Sequence, residues 1–263
     1  CRDYPSGRVG FCHSEEEIIM YHFFVEPHQI GAEEIRIEGS DVNHIRNVLR
    51  MKPGEEILIS SREGGDYFCR VEELEPEYVS AKIQEEWENK ELPARIHLSQ
   101  GLPKGDKMEL IIQKAVELGA YRVVPVSMKR SVVKLDAKKA DAKRKRWNAV
   151  SESAAKQSKR SLIPEVAPLM TYKEAVKEAA GYDMVLLPYE SADGIRKTRE
   201  LLASVKPGTD IAVFIGPEGG FEDEEVELAR ENGAEIVTLG KRILRTETAG
   251  LCMLSALMLQ LEV

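Results

Sequence analysis

Short apolar runs alternate with longer segments of helical periodicity from residue 94 to the end of the chain. Runs 184–190 and 210–216 have the length and composition of buried strands, and segments 107–118 and 222–232 have the length of helices. Strands that alternate with helices of about ten or more residues are typical of a parallel sheet with crossover helices. The sequence therefore predicts an α/β domain with a largely parallel sheet.

Residues 20–90 follow a different pattern. Short runs such as 66–74 and 78–87 are bounded by turn-forming residues, and they predict the strands of a small β-rich domain. The pattern changes at 89–93, a polar stretch that ends in proline. We therefore expect two domains, residues 20–90 and residues 91–263.

One helix is predicted inside the β-rich domain, over residues 41–50. The spacing of Ile45, Val48 and Leu49 places these three side chains on one helix face. The opposite face carries basic residues that could be solvated or could contact RNA, namely His44, Arg46 and Arg50.

Residues 1–19 fit neither pattern. They show no alternation, and they lack the basic stretch followed by an apolar stretch that marks a secretory signal peptide. We therefore expect Met20 to be the natural start and residues 1–19 to be an upstream extension. N-terminal sequencing of the protein from its own host would test this expectation.

The composition is that of an ordinary globular chain, with 43% hydrophobic and 31% charged residues. The most apolar stretch, around 251–261, is too short to cross a membrane. The four cysteines form no C-x-x-C pair and do not cluster with the five histidines, which argues against zinc and favours reduced thiols. We expect a cytoplasmic protein that binds no metal and no membrane.

Charge is distributed unevenly along the chain. The whole chain has a formal net charge of −8, yet residues 129–160 contain twelve basic and three acidic residues, a local net charge of +9. An acidic chain is not a general nucleic-acid binder, but a basic segment within it indicates a directed contact with a polyanion. A solvated helix face rich in lysine is the alternative.

Residues 215–221, IGPEGGF, follow an apolar strand and precede an acidic helix start. Open α/β sheets bind ligands at the carboxyl ends of their strands, and clustered glycines indicate positive φ angles or close approach of the backbone to a ligand. The acidic run 222–225 would repel a phosphate, so a cationic or neutral ligand is favoured over a nucleotide. A tight turn that binds nothing is the alternative.

Two further loops follow predicted strands. Residues 239–250, LGKRILRTETAG, carry Ile243 and Leu244 within the loop itself, and residues 186–190 end another apolar strand. Apolar loop side chains close either over a core or over a ligand such as adenine. Three such loops at one sheet edge favour a pocket over three unrelated turns.

The motifs together resemble a known family, the bacterial 16S ribosomal RNA uridine N3-methyltransferases of the RsmE family in the SPOUT superfamily. The resemblance runs from about Met20 to the C-terminus. It rests on five stretches: Lys104–Lys107 (KGDK), Gln113–Gly119 (QKAVELG), Arg146–Ser158, and the loops 215–221 and 239–250.

This resemblance implies a SPOUT-type parallel sheet with a C-terminal trefoil knot, preceded by a PUA-like β-barrel. It also implies a homodimer that uses S-adenosylmethionine to methylate N3 of a specific uridine in small-subunit (16S) ribosomal RNA. A related knotted methyltransferase of other specificity, such as one acting on a ribose 2′-hydroxyl, is one alternative. A ribosome-assembly factor that binds RNA without catalysis is another.

The resemblance also assigns residues. The cofactor pocket would be lined by Leu187, Pro188, Gly216, Glu218, Gly219, Leu239, Gly240, Ile243, Leu244 and Thr246. In the reaction, Arg245 would stabilise the uridine anion or orient a phosphate, and Glu247 or Glu218 would accept the proton. RNA contacts would come from His44, Arg46, Arg50, Lys104, Lys129, Arg130, Lys134, Arg146, Lys156 and Arg160. Trp147, beside Arg146, is expected to be a packing anchor instead of a base-stacking platform.

Overall fold

A computed structural model describes residues 20–62, 65–190 and 194–262. Within these ranges the chain forms two sheets, one of five strands and one of seven. The expected upstream extension, residues 1–19, lies outside the described residues. None of the helices in the described ranges is long and apolar enough to cross a membrane.

The five-stranded sheet comes from the N-terminal part of the chain. Its strands are β1 (Tyr21–Val25), β2 (Glu34–Glu38), β3 (Glu56–Ser61), β4 (Asp66–Leu74) and β5 (Tyr78–Trp87). The strand order is β1-β3-β4-β5-β2, and only β1 and β3 are parallel. Along β2, Ile35 and Ile37 are buried while Glu34, Arg36 and Glu38 are exposed, which is the alternation that a half-buried strand requires.

The helix expected over 41–50 is present in a distorted form. It begins as α1 (Ser40–Asn43) and continues as a π-helical turn (His44–Val48). A π-helical turn is wider than an α-helical one, so it changes which side chains share a face. Ile45 is buried but Val48 is 60% exposed, and the prediction that Val48 shares the buried face is wrong.

The seven-stranded sheet is parallel throughout, which confirms the predicted α/β domain. Its strands are β6 (Arg95–Gly101), β7 (Arg122–Ser127), β8 (Glu165–Val166), β9 (Met170–Thr171), β10 (Met184–Pro188), β11 (Asp210–Ile215) and β12 (Glu235–Val237). The order is β12-β10-β11-β6-β7-β8, and β9 also pairs with β7.

Helices cover both faces of this sheet. They are α2 (Lys107–Glu117), α3 (Ala137–Ser158), α4 (Tyr172–Ala179), α5 (Ile195–Ser204), α6 (Asp223–Glu231) and α7 (Thr246–Leu261). One core lies under α2, α3 and α7, and the other lies under α4 and α6. Successive strand residues point to opposite faces, so Val213 belongs to the first core and Phe214 to the second. Trp147 is 4% exposed in the first core, as expected of a packing anchor.

The last helix returns the chain from the edge of the sheet to its centre. β12 is an edge strand, whereas α7 packs against α2, β6 and β11. Residues 238–245 therefore cross the ends of the strands between these positions. This path places Thr246, the first residue of α7, within 2.6 Å of the carbonyl oxygen of Gly216.

A buried ion pair fastens the segment that joins the two sheets. Arg160, just after α3, is 5% exposed, and its guanidinium donates to the carboxylate of Glu91. It also donates to the carbonyl oxygens of Val116 at 2.7 Å and of Ala120 at 3.1 Å. The prediction that Arg160 contacts RNA is wrong, because the side chain is buried and its donors are engaged inside the protein.

Residues 20–62 and 65–90, called here the N-terminal region, also contact α3 directly. Lys156 lies 3.4 Å from Asp41, and Arg62 lies 3.7 Å from Glu152. Phe24 of β1 belongs to the same buried cluster as the apolar residues of α3. The two sheets are therefore connected by an interface as well as by the chain.

Replacing Arg160 with methionine should lower the free energy of unfolding by about 3–5 kcal/mol, because it leaves the Glu91 carboxylate largely buried and without its partner. Urea denaturation followed by circular dichroism would measure the change. The control is Lys139→Met on the exposed face of α3, which should change the stability by no more than about 0.5 kcal/mol. A loss for Arg160→Met no larger than that of the control would contradict the structural role of this ion pair.

Candidate active site

The strands β10, β11 and β12 end at the same edge of the sheet, and the loops that follow them enclose a cavity of about 420 Å³. Its lining residues are 188–190, 215–221, 238–240 and 242–246, together with Lys107, Arg130 and Ala249. The carboxyl edge, where the strand order reverses, is the place where open α/β sheets bind ligands. The three loops singled out in the sequence thus form one site.

Nine of the ten residues predicted to line a cofactor pocket line this cavity. They are Pro188, Gly216, Glu218, Gly219, Leu239, Gly240, Ile243, Leu244 and Thr246. Leu187 does not line it, since its side chain is fully buried in the core beneath α4 and α6. The prediction for Leu187 is wrong because alternation along β10 turns this residue into the core.

Glycine allows the loops to approach one another. A Cβ atom at Gly101 would lie 2.7 Å from Pro217, and one at Gly219 would lie 2.9 Å from the Cβ of Arg130. Gly240 has a φ of 115°, a conformation that side chains rarely permit. Both reasons given for glycine in the sequence, close backbone approach and positive φ, therefore occur at this site.

A buried hydrogen-bond chain holds the cavity together at its base. The Thr246 hydroxyl donates to the carbonyl oxygen of Gly216 at 2.6 Å and accepts from the Gln100 side-chain amide at 2.9 Å. Gln100 is fully buried, and the same amide donates to the carbonyl oxygen of Gly101 at 3.0 Å. The end of β6, the loop after β11 and the start of α7 are thereby joined by one pair of side chains.

Apolar side chains stand at the rim of the cavity. Ile243 is 85% exposed, although it lines the cavity, and Leu244 and Leu239 are half-buried beside it. An exposed apolar side chain next to backbone polar groups suits a flat, mostly apolar ligand group with a few hydrogen-bonding atoms. Ile243 and Leu244 therefore border the cavity, whereas Leu239 lines the cavity and also packs against the first core.

The acidic opening of α6 lies next to the cavity. The carboxylate of Glu225 is buried and accepts hydrogen bonds from the N–H groups of Glu222 and Lys129, both at 2.9 Å. Glu222 pairs with Arg130, whose guanidinium also donates to the carbonyl oxygen of Gly219 at 3.0 Å. The chain's own carboxylates occupy this helix N-terminus, which disfavours a phosphate there.

One lysine bridges the two carboxylates predicted to act in chemistry. The Lys107 ammonium lies 3.1 Å from Oε1 of Glu218 and 3.3 Å from Oε2 of Glu247. Lys107, Glu218 and Arg245 line the cavity, whereas Glu247 does not. Sequence reasoning missed Lys107, although it is the last residue of the KGDK motif.

Both carboxylates favour the ionised form. Partial burial would raise the pKa of Glu218, but hydrogen bonds from backbone N–H groups and from the Lys107 ammonium outweigh it and lower the pKa. One of these backbone donors is the N–H of Lys104, at 3.0 Å. A backbone hydrogen bond, acting against desolvation and aided by Lys107 and Arg245, lowers the pKa of Glu247. Each group is therefore available as a charged acceptor, and as a weak base.

Acidic residues from elsewhere in the fold partly neutralise the basic segment 129–160. The ion pairs are Lys129–Glu224, Arg130–Glu222, Arg144–Glu165, Arg146–Glu109 and Lys156–Asp41. Lys134 donates to the carbonyl oxygen of Met128 at 3.5 Å. His44, Arg50 and Lys104 are exposed, and Arg46 is half-buried. Within the described ranges, the basic residues of this segment that have no acidic partner within 4.0 Å are Lys134, Lys138, Lys143, Lys145 and Lys159.

A second cavity, of about 820 Å³, lies between the N-terminal region and α3. His44 lines it from one side, and Lys156 and Lys159 line it from the other. His22, buried in its wall, is neutral near pH 7, because desolvation and then the charges of nearby lysines lower its pKa to about 4. Two of the residues predicted to contact RNA, His44 and Lys156, thus meet across one groove.

Comparison with known proteins places this chain in a family. A model of the RNA methyltransferase domain matches residues 90–258, and a model of the RNA methyltransferase PUA domain matches residues 37–84. The ribosomal RNA small subunit methyltransferase E of Bacillus subtilis is 39% identical, over 92% of this chain and 98% of that protein. The protein of the same name from Mesomycoplasma hyopneumoniae is 33% identical, over 90% of this chain and 98% of that protein.

Solved structures agree with this assignment. The ribosomal RNA small subunit methyltransferase E of Neisseria gonorrhoeae, bound to S-adenosylmethionine, superposes with a TM-score of 0.76 at 33% identity, covering 90% of this chain and 96% of that one. A methyltransferase from Legionella pneumophila, also with S-adenosylmethionine, superposes with a TM-score of 0.77 at 30% identity and the same coverage. The resemblance drawn from the motifs is confirmed, and the chain belongs to the ribosomal RNA small subunit methyltransferase E family.

Proposed function

We propose that this protein transfers the methyl group of S-adenosylmethionine to N3 of a uridine in small-subunit ribosomal RNA. The observation that carries the proposal is the cavity at the carboxyl edge of the sheet, which the IGPEGGF and LGKRILRTETAG loops build together. The family of the chain supplies the reaction class. A ribosomal substrate places the activity in the cytoplasm and makes it a step of ribosome maturation.

The residues of the cavity fit this cofactor. Ile243, Leu244 and Leu239 offer apolar walls for an adenine ring, and the backbone groups of the glycine loop offer hydrogen bonds. The N-terminus of α6 is capped by the chain's own carboxylates, which suits a ligand that carries a sulfonium and no phosphate. We infer that the nine predicted lining residues hold the cofactor and that Leu187 supports them from the core.

When bound, S-adenosylmethionine supplies a methyl group on a positively charged sulfur. Methylation forms a bond between this carbon and N3 of uridine, breaks the bond between carbon and sulfur, and releases the N3 proton. The protein has to orient the base in line with the sulfonium and to favour loss of this proton. Arg245, exposed at the cavity, is placed to stabilise the negative charge that develops on the base.

Glu218 is better placed than Glu247 to receive the proton, directly or through a water molecule. Glu218 lines the cavity and Glu247 does not. The lowered pKa of Glu218 keeps it ionised near pH 7, so it is ready to accept a proton although it is a weak base. The Arg245 charge would assist removal of the proton by stabilising the anion that forms.

RNA would lie along the groove between the N-terminal region and α3. His44, Lys156 and Lys159 line this groove, and Lys138, Lys143 and Lys145 extend its positive charge along α3. Single-stranded or looped RNA is recognised by cations along its backbone and by rings that stack on its bases. Further proposed RNA contacts are Arg46, Arg50, Lys104, Lys129, Arg130, Lys134 and Arg146.

We also propose that the return of the chain from β12 to α7 threads a trefoil knot. Its support is the strand order β12-β10-β11 combined with the packing of α7 on β11 and β6, which forces residues 238–245 to cross neighbouring loops. Stretching the unfolded chain from its two ends would test the knot. Release of the full contour length, about 3.6 Å per residue, would show that no knot is present.

Two organisational features belong to the same proposal. The change from one sheet to the other between β5 and β6 supports domains of residues 20–90 and 91–263.

Exposed apolar side chains, including Leu259 on α7 at 72% exposure, support a homodimer. Sedimentation equilibrium that returns only the mass of one chain would refute the dimer.

The reaction is tested by incubating the protein with methyl-labelled S-adenosylmethionine and small ribosomal subunits that lack native modification. Nucleoside mass spectrometry of the digested RNA should recover labelled 3-methyluridine. A labelled 2′-O-methyl nucleoside would overturn the base-directed mechanism but keep the cofactor. RNA binding without any transfer would indicate an assembly factor.

Arg245→Ala should lower kcat about 100-fold and leave the affinity for S-adenosylmethionine within about twofold, because the guanidinium acts on charge that develops in the transition state. Single-turnover assays and calorimetric titration would measure the two quantities. Lys241→Ala is the matched control, since it removes a nearby exposed cation that does not line the cavity. Equal losses of turnover and of cofactor affinity in Arg245→Ala would refute the catalytic assignment.

Affinity for RNA should fall with salt, with a log–log slope of about −0.7 for each phosphate contact to single-stranded RNA. Lys159→Ala should make the slope shallower by about that amount, since this lysine lines the groove and has no acidic partner in the described part of the chain. Lys197→Ala on α5, where the lysine pairs with Glu235, is the control and should leave the slope unchanged. Fluorescence anisotropy with a ribosomal RNA fragment would measure both, and an affinity independent of salt would contradict the RNA surface.

A further inference from the structure

Lys107 occupies a junction between three separate segments of the chain. It is the first residue of α2, and its side chain reaches Glu218 in the glycine loop and Glu247 in the first turn of α7. The side chain is 31% exposed and lines the cavity. A residue that only capped its own helix would not need to reach both loops of the pocket.

The Glu247 carboxylate depends on this lysine for its charge partner. Its Oε2 atom is buried and accepts no well-formed hydrogen bond within the described chain, and the Lys107 ammonium lies 3.3 Å away. A carboxylate oxygen removed from water without a donor is costly unless a cation stands next to it. Glu218 differs, because the N–H of Lys104 also donates to it at 3.0 Å.

We propose that Lys107 is a positioning residue of the cofactor pocket: its single ammonium group holds the carboxylates of Glu218 and Glu247 side by side and so fixes the glycine loop against the start of α7 before the cofactor binds. This inference rests on the proposed function of the cavity. It adds a residue that acts through the two glutamates and not on the reacting atoms.

Removing the ammonium would leave two carboxylates near the same point with no cation between them. Like charges at such a distance repel, and one of the pair takes up a proton more readily. The other charged group near Glu247 is Arg245, and the other donor near Glu218 is the N–H of Lys104. Neither of them bridges the two glutamates, so Glu218 and Glu247 would move apart unless one carboxylate became neutral. The Thr246 hydroxyl would still join α7 to Gly216, so the change would be confined to the part of the pocket around the two glutamates.

This repulsion has a characteristic dependence on pH. In the wild-type protein both glutamates have lowered pKa values, so both stay charged between about pH 8 and pH 5 and the bridge is intact throughout. Without Lys107, repulsion between the carboxylates raises the pKa of one of them, so it takes up a proton at a higher pH than in the wild-type protein and the repulsion disappears. Affinity for the cofactor should therefore recover at low pH in the variant and stay nearly constant in the wild-type protein.

The experiment is calorimetric titration of the whole protein with S-adenosylmethionine at pH 8 and pH 5. Lys107→Met should weaken binding about tenfold at pH 8, the size of coupling expected within one charge network, and should recover most of this loss at pH 5. Lys107→Arg, which keeps the charge, should bind within about threefold of the wild-type protein at both pH values. Lys114→Met is the matched control: it removes a lysine of the same helix that pairs with Glu117, and it should change the affinity less than about twofold.

A second variant separates charge from packing. In Lys107→Met combined with Glu247→Gln, one of the two repelling charges is gone, so binding at pH 8 should be tighter than in Lys107→Met alone. Melting curves would confirm that each variant is folded. Wild-type affinity in Lys107→Met, or a loss that neither low pH nor Glu247→Gln restores, would overturn the proposal, as would loss of affinity in Lys107→Arg. Wild-type protein that binds no S-adenosylmethionine would overturn the proposed function itself.

Discussion

Thr246 joins the parts of the chain from which the cavity is built. Its hydroxyl is shared between the carbonyl oxygen of Gly216 and the amide of Gln100, so the ends of β6 and β11 are tied to the start of α7. These segments are far apart in the sequence, and the approach of the end of β6 to the loop after β11 requires glycine at Gly101, where a Cβ atom would lie 2.7 Å from Pro217. A buried pair of neutral side chains gives this junction without a charge that the interior would have to compensate.

The charges around the junction divide into two groups with different duties. Arg160 is buried against Glu91 and fixes the segment that joins the sheets. Arg130 pairs with Glu222 at the opening of α6, but this pair is exposed and Arg130 stays a proposed RNA contact. Lys159 and the lysines of α3 that have no acidic partner among the described residues, Lys138, Lys143 and Lys145, are the cations proposed to meet a polyanion. Because the acidic partners come from distant parts of the chain, a local net charge overstates how much of a basic segment a ligand can use.

The alternation of strands and helices could be predicted from the sequence, because the spacing of apolar residues and the positions of glycines are local properties of the chain. Prediction from the sequence also located the cavity loops, since strand ends of a parallel sheet meet at one edge. It failed where tertiary packing decides the outcome: alternation turned Leu187 into the core, and a π-helical turn exposed Val48. The roles of Arg160 and Lys107 could not be predicted from the sequence, because their ion-pair partners, Glu91 and Glu247, lie far from them along the chain.

The acidic opening of α6 bears on discrimination among adenosine compounds. Glu222 and Glu225 engage the helix N-terminus, so the positive end that many nucleotide pockets offer to a phosphate is cancelled here. S-adenosylmethionine carries a sulfonium and no phosphate, so these carboxylates would not weaken its binding. Adenosine triphosphate or a dinucleotide would have to bring its phosphates against carboxylates. Glu222 and Glu225, which stabilise the start of the helix, would therefore also keep adenine nucleotides from competing for the pocket.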